Sequence, residues 1–215
     1  MKKAAVFLVC LVAALTLTFP PARINVCATD TITDTEATSK EAEALMDTKA
    51  GDLYLTVNNR EVYYPEVMVY YLGSKDELET AVGNNDFWNR EVDGHTVDYL
   101  VMDDIRRELI QLKVIVTAAE NRGLSLTNEE ENELMETARA QMQNVSAEIK
   151  AKNYIDDNVL YKVYHDNFLA AKLYRTYLER FPKTYLAERE FKRDFRGWYK
   201  TSKITITDKW TGVGP

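Results

Sequence analysis

Residues 97–130, VDYLVMDDIRRELIQLKVIVTAAENRGLSLTNEE, decide how this chain is organised. Val101, Ile105, Leu109, Leu112, Val116 and Ala119 recur at steps of three and four, which puts them on one face of an α-helix. Over residues 97–122 that helix is roughly 39 Å long, too long for a small core to enclose on all sides. Gly123 stops it, because glycine enters the left-handed region without a Cβ clash. Thr127-Asn128-Glu129-Glu130 then has the form of a capping box that opens the next helix. The spacing predicts an αα-hairpin on which everything else packs.

Downstream, the second helix carries Leu134, Ala138, Met142, Val145 and Ile149 on one face and breaks at residues 152–156. Asp156 is a suitable N-cap for a third helix. Its expected core stripe is Leu160, Tyr164, Phe168, Ala171, Tyr174, Leu178 and Phe181, with Pro182 beyond it as the stop. Residues 186–199 form a further amphipathic piece with Phe191, Phe195 and Trp198. Residues 203–207 alternate Ile204 and Ile206 with threonines, a strand signal.

Upstream, Leu53–Val57 reads as a strand, and Asn58-Asn59 as a tight turn into residues 60–63. Pro65 opens a short helix expected to close at Gly73. A second capping box at Ser74-Lys75-Asp76-Glu77 opens another, expected to end at Gly83. Residues 84–96 are expected to be a loop, with Phe87-Trp88 folded back as a plug on the core and a turn at Asp93-Gly94. The simplest use of the opening and closing strands is to pair them in one small antiparallel sheet. The fold class is therefore mainly α, a long-helix hairpin module with a small sheet made from its two ends.

Residues 1–28 read as a secretory signal peptide. Lys2 and Lys3 precede an apolar run over residues 4–19, Pro20-Pro21 break it, and Val26-Cys27-Ala28 offers a cleavage site after Ala28. The run is shorter than the roughly 20 residues of a membrane span. A retained anchor is thus the lesser reading, and Val26 and Asn25 are poor neighbours for a lipid-modified Cys27. The expected location is outside the cytoplasm, with membrane contact only during export. Residues 29–52, rich in Thr, Asp, Glu, Ala and Ser, read as a disordered acidic linker. Residues 53–210 are expected to be a single domain.

Cleavage would remove both cysteines, Cys10 and Cys27, leaving no thiol nucleophile and no disulfide. It would also remove Lys2, Lys3 and Arg23, taking the formal charge from −7 to −10. Such a balance argues against nucleic acid, whose binding depends on neutralising phosphates. The segment from Arg180 onward is locally basic, nine Lys and Arg against four Asp and Glu, as a solvated surface with ion pairs would be.

Candidates for chemistry are few. His95 and His165 are the two histidines, and no nucleophile elbow, phosphate-binding glycine loop or zinc spacing occurs. His165 and Asp166 with Asp156 and Asp157 read as surface rather than as metal ligands. Glu129, Glu130, Glu131, Glu133 and Glu136 suit the positive end of a helix dipole, and no carboxylate pair stands out as an acid–base couple. Asn144-Val145-Ser146 matches a glycosylation sequon, which matters only in a eukaryotic secretory route. No cofactor, metal or catalytic residue is expected.

More telling is a run of aromatics: Tyr154, Tyr161, Tyr164, Phe168, Tyr174, Tyr177, Phe181 and Tyr185. Tyrosine offers a large apolar face with a polar tip and suits surfaces that grip varied partners. Tyr164, Phe168 and Tyr174 fit the core stripe. Tyr161 and Tyr177 lie off its centre and are expected to face a groove. Met142 and Phe168 complete the candidate lining for client contact.

Two stretches carry a resemblance. Val57-Asn58-Asn59-Arg60-Glu61-Val62, followed by a helix, resembles the opening strand-turn-strand of the SurA/PrsA-type exported foldases. Residues 109–130, through Ala119-Glu120-Asn121-Arg122-Gly123-Leu124-Ser125-Leu126-Thr127-Asn128-Glu129-Glu130, are similar to that family's helix, glycine stop and capping box. Asn59 stands where the family has glycine. The resemblance implies the N-terminal chaperone module of these proteins, an architecture shared with the C-terminal part of trigger factor. Its enzymatic members carry a parvulin prolyl isomerase domain after the long helices. Here 38 residues follow Tyr177, fewer than the roughly 50 of a small domain, so the isomerase activity does not carry over.

The resemblance thus implies an ATP-independent, non-enzymatic holder of unfolded exported polypeptides. An isomerase or its non-catalytic paralogue, and an adaptor subunit of an envelope assembly, are the competing readings; dimerisation through the long helices fits all of them. A continuous apolar trough between the long helices favours a holder, whereas a filled, polar exterior favours an adaptor.

Overall fold

The computed structural model describes residues 50–82 and 87–211. The signal peptide, its cleavage site and nearly all of the expected linker lie outside them. Asp52, the last linker residue, belongs to the fold: its carbonyl accepts a hydrogen bond from the Tyr64 amide at 3.0 Å, and its carboxylate pairs with Lys209 at 3.1 Å.

The described chain is mainly helical with a small antiparallel sheet. Strands β1 (Leu53–Val57) and β2 (Arg60–Tyr63) lead into α1 (Tyr64–Val82). A short hairpin follows, β3 (Glu91–Val92) and β4 (His95–Thr96), then α2 (Val97–Glu120), α3 (Asn128–Asn144), α4 (Ala147–Asn153), α5 (Asp157–Arg180) and α6 (Thr184–Thr201). Strand β5 (Ile204–Ile206) and a 3₁₀ turn (Asp208–Thr211) end it.

The first and last strands pair as the alternation predicts. The sheet order is β2-β1-β5, all antiparallel, with Leu55 opposite Ile206 and Val57 opposite Ile204. Asn58 and Asn59 both take positive φ (50° and 68°), the conformation of a two-residue hairpin turn, which asparagine tolerates in place of glycine. Asn58 also holds the far end of the chain. Its amide donates to Ser202 Oγ at 2.9 Å, and its side-chain oxygen accepts from the Lys203 amide at 2.9 Å. The β1–β2 register slips between Leu53 and Leu55, and both Tyr54 and Leu55 are buried, Tyr54 against the edge of Trp210.

Around α2 the expectation needs correction. Apart from Val101, which is partly buried, the predicted face is buried, but so are Ile110, Lys113, Val114, Ile115 and Ala118, so residues 109–119 are buried or half-buried on every side. Helices α1, α5 and α6 and strand β1 all pack on it. The hairpin is corrected too. Gly123 (φ 73°) and the Thr127–Glu130 capping box are where the sequence puts them. Helix α3, however, packs chiefly on α5 rather than back on α2. A hairpin loop fixes which helices are consecutive, and the wide apolar arc of α5 then takes both as neighbours.

Two predicted boundaries also move. Gly73 and the Ser74 box do not divide the first helix, which runs unbroken to Val82. Glycine breaks a helix only if something else uses its freedom, and here nothing does. A Cβ at Gly73 would meet no heavy atom within 4 Å, so Gly73→Ala should stabilise the fold by about 0.5–1 kcal/mol through helix propensity. Urea titration checks this, and a midpoint that falls would contradict it. Conversely, the expected single helix through Ile149 breaks at Val145, because the Ser146 hydroxyl accepts from the Ile149 amide and starts α4.

The plug is present, with Phe87 and Trp88 both buried and Trp88 Nε1 donating to Glu79 at 2.9 Å. The loop beyond it contains the β3–β4 hairpin, turned by Asp93 and Gly94 at positive φ.

Candidate functional site

Helix α5 carries the residues singled out for client contact, and its orientation differs from the expected one. The buried line is Leu160, Val163, Asp166, Leu169, Ala170, Leu173, Tyr174 and Tyr177. Tyr164, Phe168, Leu178 and Phe181 are only partly buried beside it. The stripe is rotated because its middle is Asp166, a residue that a search for apolar periodicity discards.

Tyr177 is buried, with one side of it lining a small pocket beside Arg122 and Arg180 rather than a trough between the long helices. Its ring meets Phe191 edge-on at 5.2 Å, and its hydroxyl donates to Asp194 at 2.7 Å, joining α5 to α6. Burial, then the bond to Asp194, push that hydroxyl up to about 12. Met142 is likewise buried, in a cluster with Met68, Ala138 and Leu160. Both residues are buried, Met142 at 3% and Tyr177 at 6% exposure. Tyr161 and Phe168 remain partly exposed on α5, each packed along one side against the core. The structure does not bring the four candidates together into one trough, since α5 itself fills the space between α2 and α3.

What the structure does bring together is a buried charge cluster. Lys113 on α2 has no exposed surface, and its ammonium donates to Glu66 Oε1 of α1 and, at 2.6 Å, to Asp166 Oδ2 of α5. Lys162 lies 2.9 Å from the other Glu66 oxygen, and His165 Nδ1 lies 3.1 Å from Asp166 Oδ1. Next to it the Tyr70 hydroxyl accepts from Asn167 at 2.9 Å.

Burial would raise the Asp166 carboxyl. Its bond with His165 and the charge and bond of Lys113 outweigh that and hold it down at about 2. A lysine acting as base or nucleophile must reach its substrate, and Lys113 reaches only its two carboxylates. The cluster ties three helices in one register, a use to which buried ionic groups are suited. Asp156 is not drawn into it: its carboxylate caps α5 by accepting from the Val159 amide at 2.8 Å. Among the described residues no group of histidine, cysteine and carboxylate side chains is placed to hold a metal.

The sequence did contain a signal for this cluster. Lys113 interrupts the run Ile110-Gln111-Leu112-Lys113-Val114-Ile115-Val116, and a lysine flanked so closely by large apolar residues needs a buried anion as partner. The spacing does not say which anions.

Glu108, also on α2, has no such partner among the described residues. Burial, then the charges of Glu77 and Asp104, raise it to about 7. Between pH 4.5 and 7 the folded chain holds a proton that the unfolded chain releases, so stability falls as pH rises through that window. Glu108→Gln should therefore gain stability over the wild type progressively from pH 5 to pH 8, by up to about 3 kcal/mol. A gain that is the same at both pH values would show that Glu108 does not titrate there.

No protein-family model, curated protein or solved structure matches this chain.

Proposed function

We propose that this chain is an exported, ATP-independent chaperone-type protein that binds polypeptide and catalyses nothing. The observation that carries the reading is the sheet β2-β1-β5, in which the opening hairpin is closed by the last strand. Helix α5 passes through α6 into β5 without an inserted domain, which suits a module that works without an isomerase. The residues that resemble the exported foldases have matching local roles: Asn58-Asn59 turn the first hairpin, Gly123 follows the long helix, and Thr127 and Glu130 cap the next. Substoichiometric to equimolar amounts of the protein should suppress aggregation of a chemically unfolded test protein. Absence of protection at any ratio removes the holding role. Cis–trans exchange of a proline peptide should stay at its uncatalysed rate, and acceleration would restore the isomerase reading.

One observation favours a second reading, an adaptor with a single partner. The space between α2 and α3 is filled by α5, and among the described residues the exposed large apolar side chains (Val82, Val92, Tyr99, Tyr185, Tyr199 and Ile206) lie on several separate elements. A holder for many chains needs a larger continuous apolar surface than such isolated positions give. Sedimentation of the purified chain with envelope extract separates the two: one protein at fixed stoichiometry supports an adaptor, and many loosely held chains support a holder.

A further inference from the structure

Where the C-terminal ends of α2 and α5 meet the middle of α6 there is a pocket of about 110 Å³, lined by Arg122, Thr176, Tyr177, Arg180 and Asp194. Its cations are held by contacts that leave donors free. The Arg122 guanidinium lies 4.4 Å from the Trp198 ring centroid, and one of its nitrogens donates to the Ala118 carbonyl at 3.1 Å. A guanidinium laid over a ring keeps its N–H groups in its own plane, directed past the ring edge. Arg180, in the last turn of α5, lies 5.5 Å from the Phe181 ring. Neither arginine is ion-paired among the described residues. Asp194, the one acid in the lining, is already engaged: it accepts from Tyr177 at 2.7 Å and pairs with Arg193 at 3.0 Å. The Thr176 hydroxyl donates to the Leu173 carbonyl at 2.7 Å, so it presents only lone pairs.

The pocket sets two guanidiniums against one carboxylate: Arg122 acts on Asp194 through its charge alone, and Asp194 is already bonded to Tyr177 and Arg193, so the lining carries an excess of positive charge. The pocket's volume is several times the roughly 10–15 Å³ that one enclosed water requires on the same measure, room enough for a carboxylate and its adjoining carbon. We propose that this pocket binds a carboxylate of an extended polypeptide, gripped by the N–H donors of Arg122 and Arg180. The pocket's preference for a carboxylate stands on its own residues, while the choice of polypeptide as the source rests on the reading above. Either the C-terminal carboxylate of a chain or an acidic side chain supplies the same chemistry.

Calorimetric titration of the full chain with three acetylated peptides tests this: trialanine with a free C-terminus, its amide, and an amidated peptide with a central glutamate. One or both carboxylate peptides should bind about tenfold more tightly than the trialanine amide, the worth of a charge-assisted hydrogen bond, and whichever does so identifies the source. Arg180→Gln should abolish that preference, while Arg175→Gln, which removes the same charge from an exposed α5 position, should keep it. Arg122→Gln, checked for folding by circular dichroism, should act as Arg180→Gln does. Equal affinity for all three peptides, no binding of any, or equal loss in Arg180→Gln and Arg175→Gln overturns the proposal. None of these results touches suppression of aggregation, so failure of the pocket and failure of the holding role are told apart.

Discussion

Lys113→Met should destabilise the protein by about 3–5 kcal/mol, because it strips the shared cation from two buried carboxylates. Glu66 and Asp166 are each about as buried as Lys113 itself. Lys162 still pairs with Glu66, and His165 still neighbours Asp166, which places the loss toward the lower end of that range. Two further measurements separate this cause from simple loss of packing. First, the deficit should shrink as pH falls toward 4, since protonating a carboxylate removes the charge left without its lysine. The wild type behaves oppositely. Its Asp166 is held at about 2, below its ordinary value of 3.8, so the stability that this group contributes is present above pH 3.8 and lost as pH falls toward 2. Second, adding Glu66→Gln and Asp166→Asn to Lys113→Met should recover part of the loss, a non-additivity expected of groups in one network. A Lys113→Met deficit that is flat from pH 4 to pH 8 and unrelieved by the neutral partners would mean that the cluster contributes only volume.

That cluster also marks where the sequence stops being readable. Local chemistry was legible: the Thr127 box, the Asn58-Asn59 turn, the Asp156 cap and the Phe87-Trp88 plug each follow from a few adjacent residues with a fixed geometry. Pairing of the two end strands was legible as well, since a lone amphipathic strand has few places to go. Which face of α5 would be buried was not. Apolar periodicity assumes that the core is apolar, and Asp166 sits in the middle of the core line because Lys113, 53 positions earlier, neutralises it. A distant partner of that kind leaves no local trace. Tyr177 lies off the centre of the expected stripe, yet its ring is buried because Asp194 on the next helix satisfies its hydroxyl. Gly73 shows the converse error, a residue able to stop a helix in a place where nothing asks it to.

Phe191→Ala carries the other large expected effect, about 3–5 kcal/mol, the usual cost of emptying a buried phenylalanine site. The ring is 2% exposed and meets Tyr174 and Tyr177 edge-on at 5.2 Å each and Trp198 at 5.7 Å. Edge-to-face pairs add to the area term, and Ala187 is the one other fully buried residue of α6. The ring is therefore the main anchor of that helix, and α6 delivers β5 to the sheet through Ser202 and Lys203. Loss of the anchor should act regionally before it acts globally. Native-state hydrogen exchange of Phe191→Ala should show amides of α6 and β5 losing protection first, while the enclosed second half of α2 keeps it. Phe191→Leu, which leaves most of the volume, should cost less than about 1.5 kcal/mol. The regional result bears on function. If α6 and β5 open together, the chain has a route to expose Tyr174 and Tyr177 to a client without unfolding, and Phe191→Ala should then protect a test protein from aggregation better than the wild type under conditions where both remain folded. Uniform loss of protection across α2 and α6 would instead make α6 an inseparable part of the core, and the wild-type surface alone would have to account for any binding.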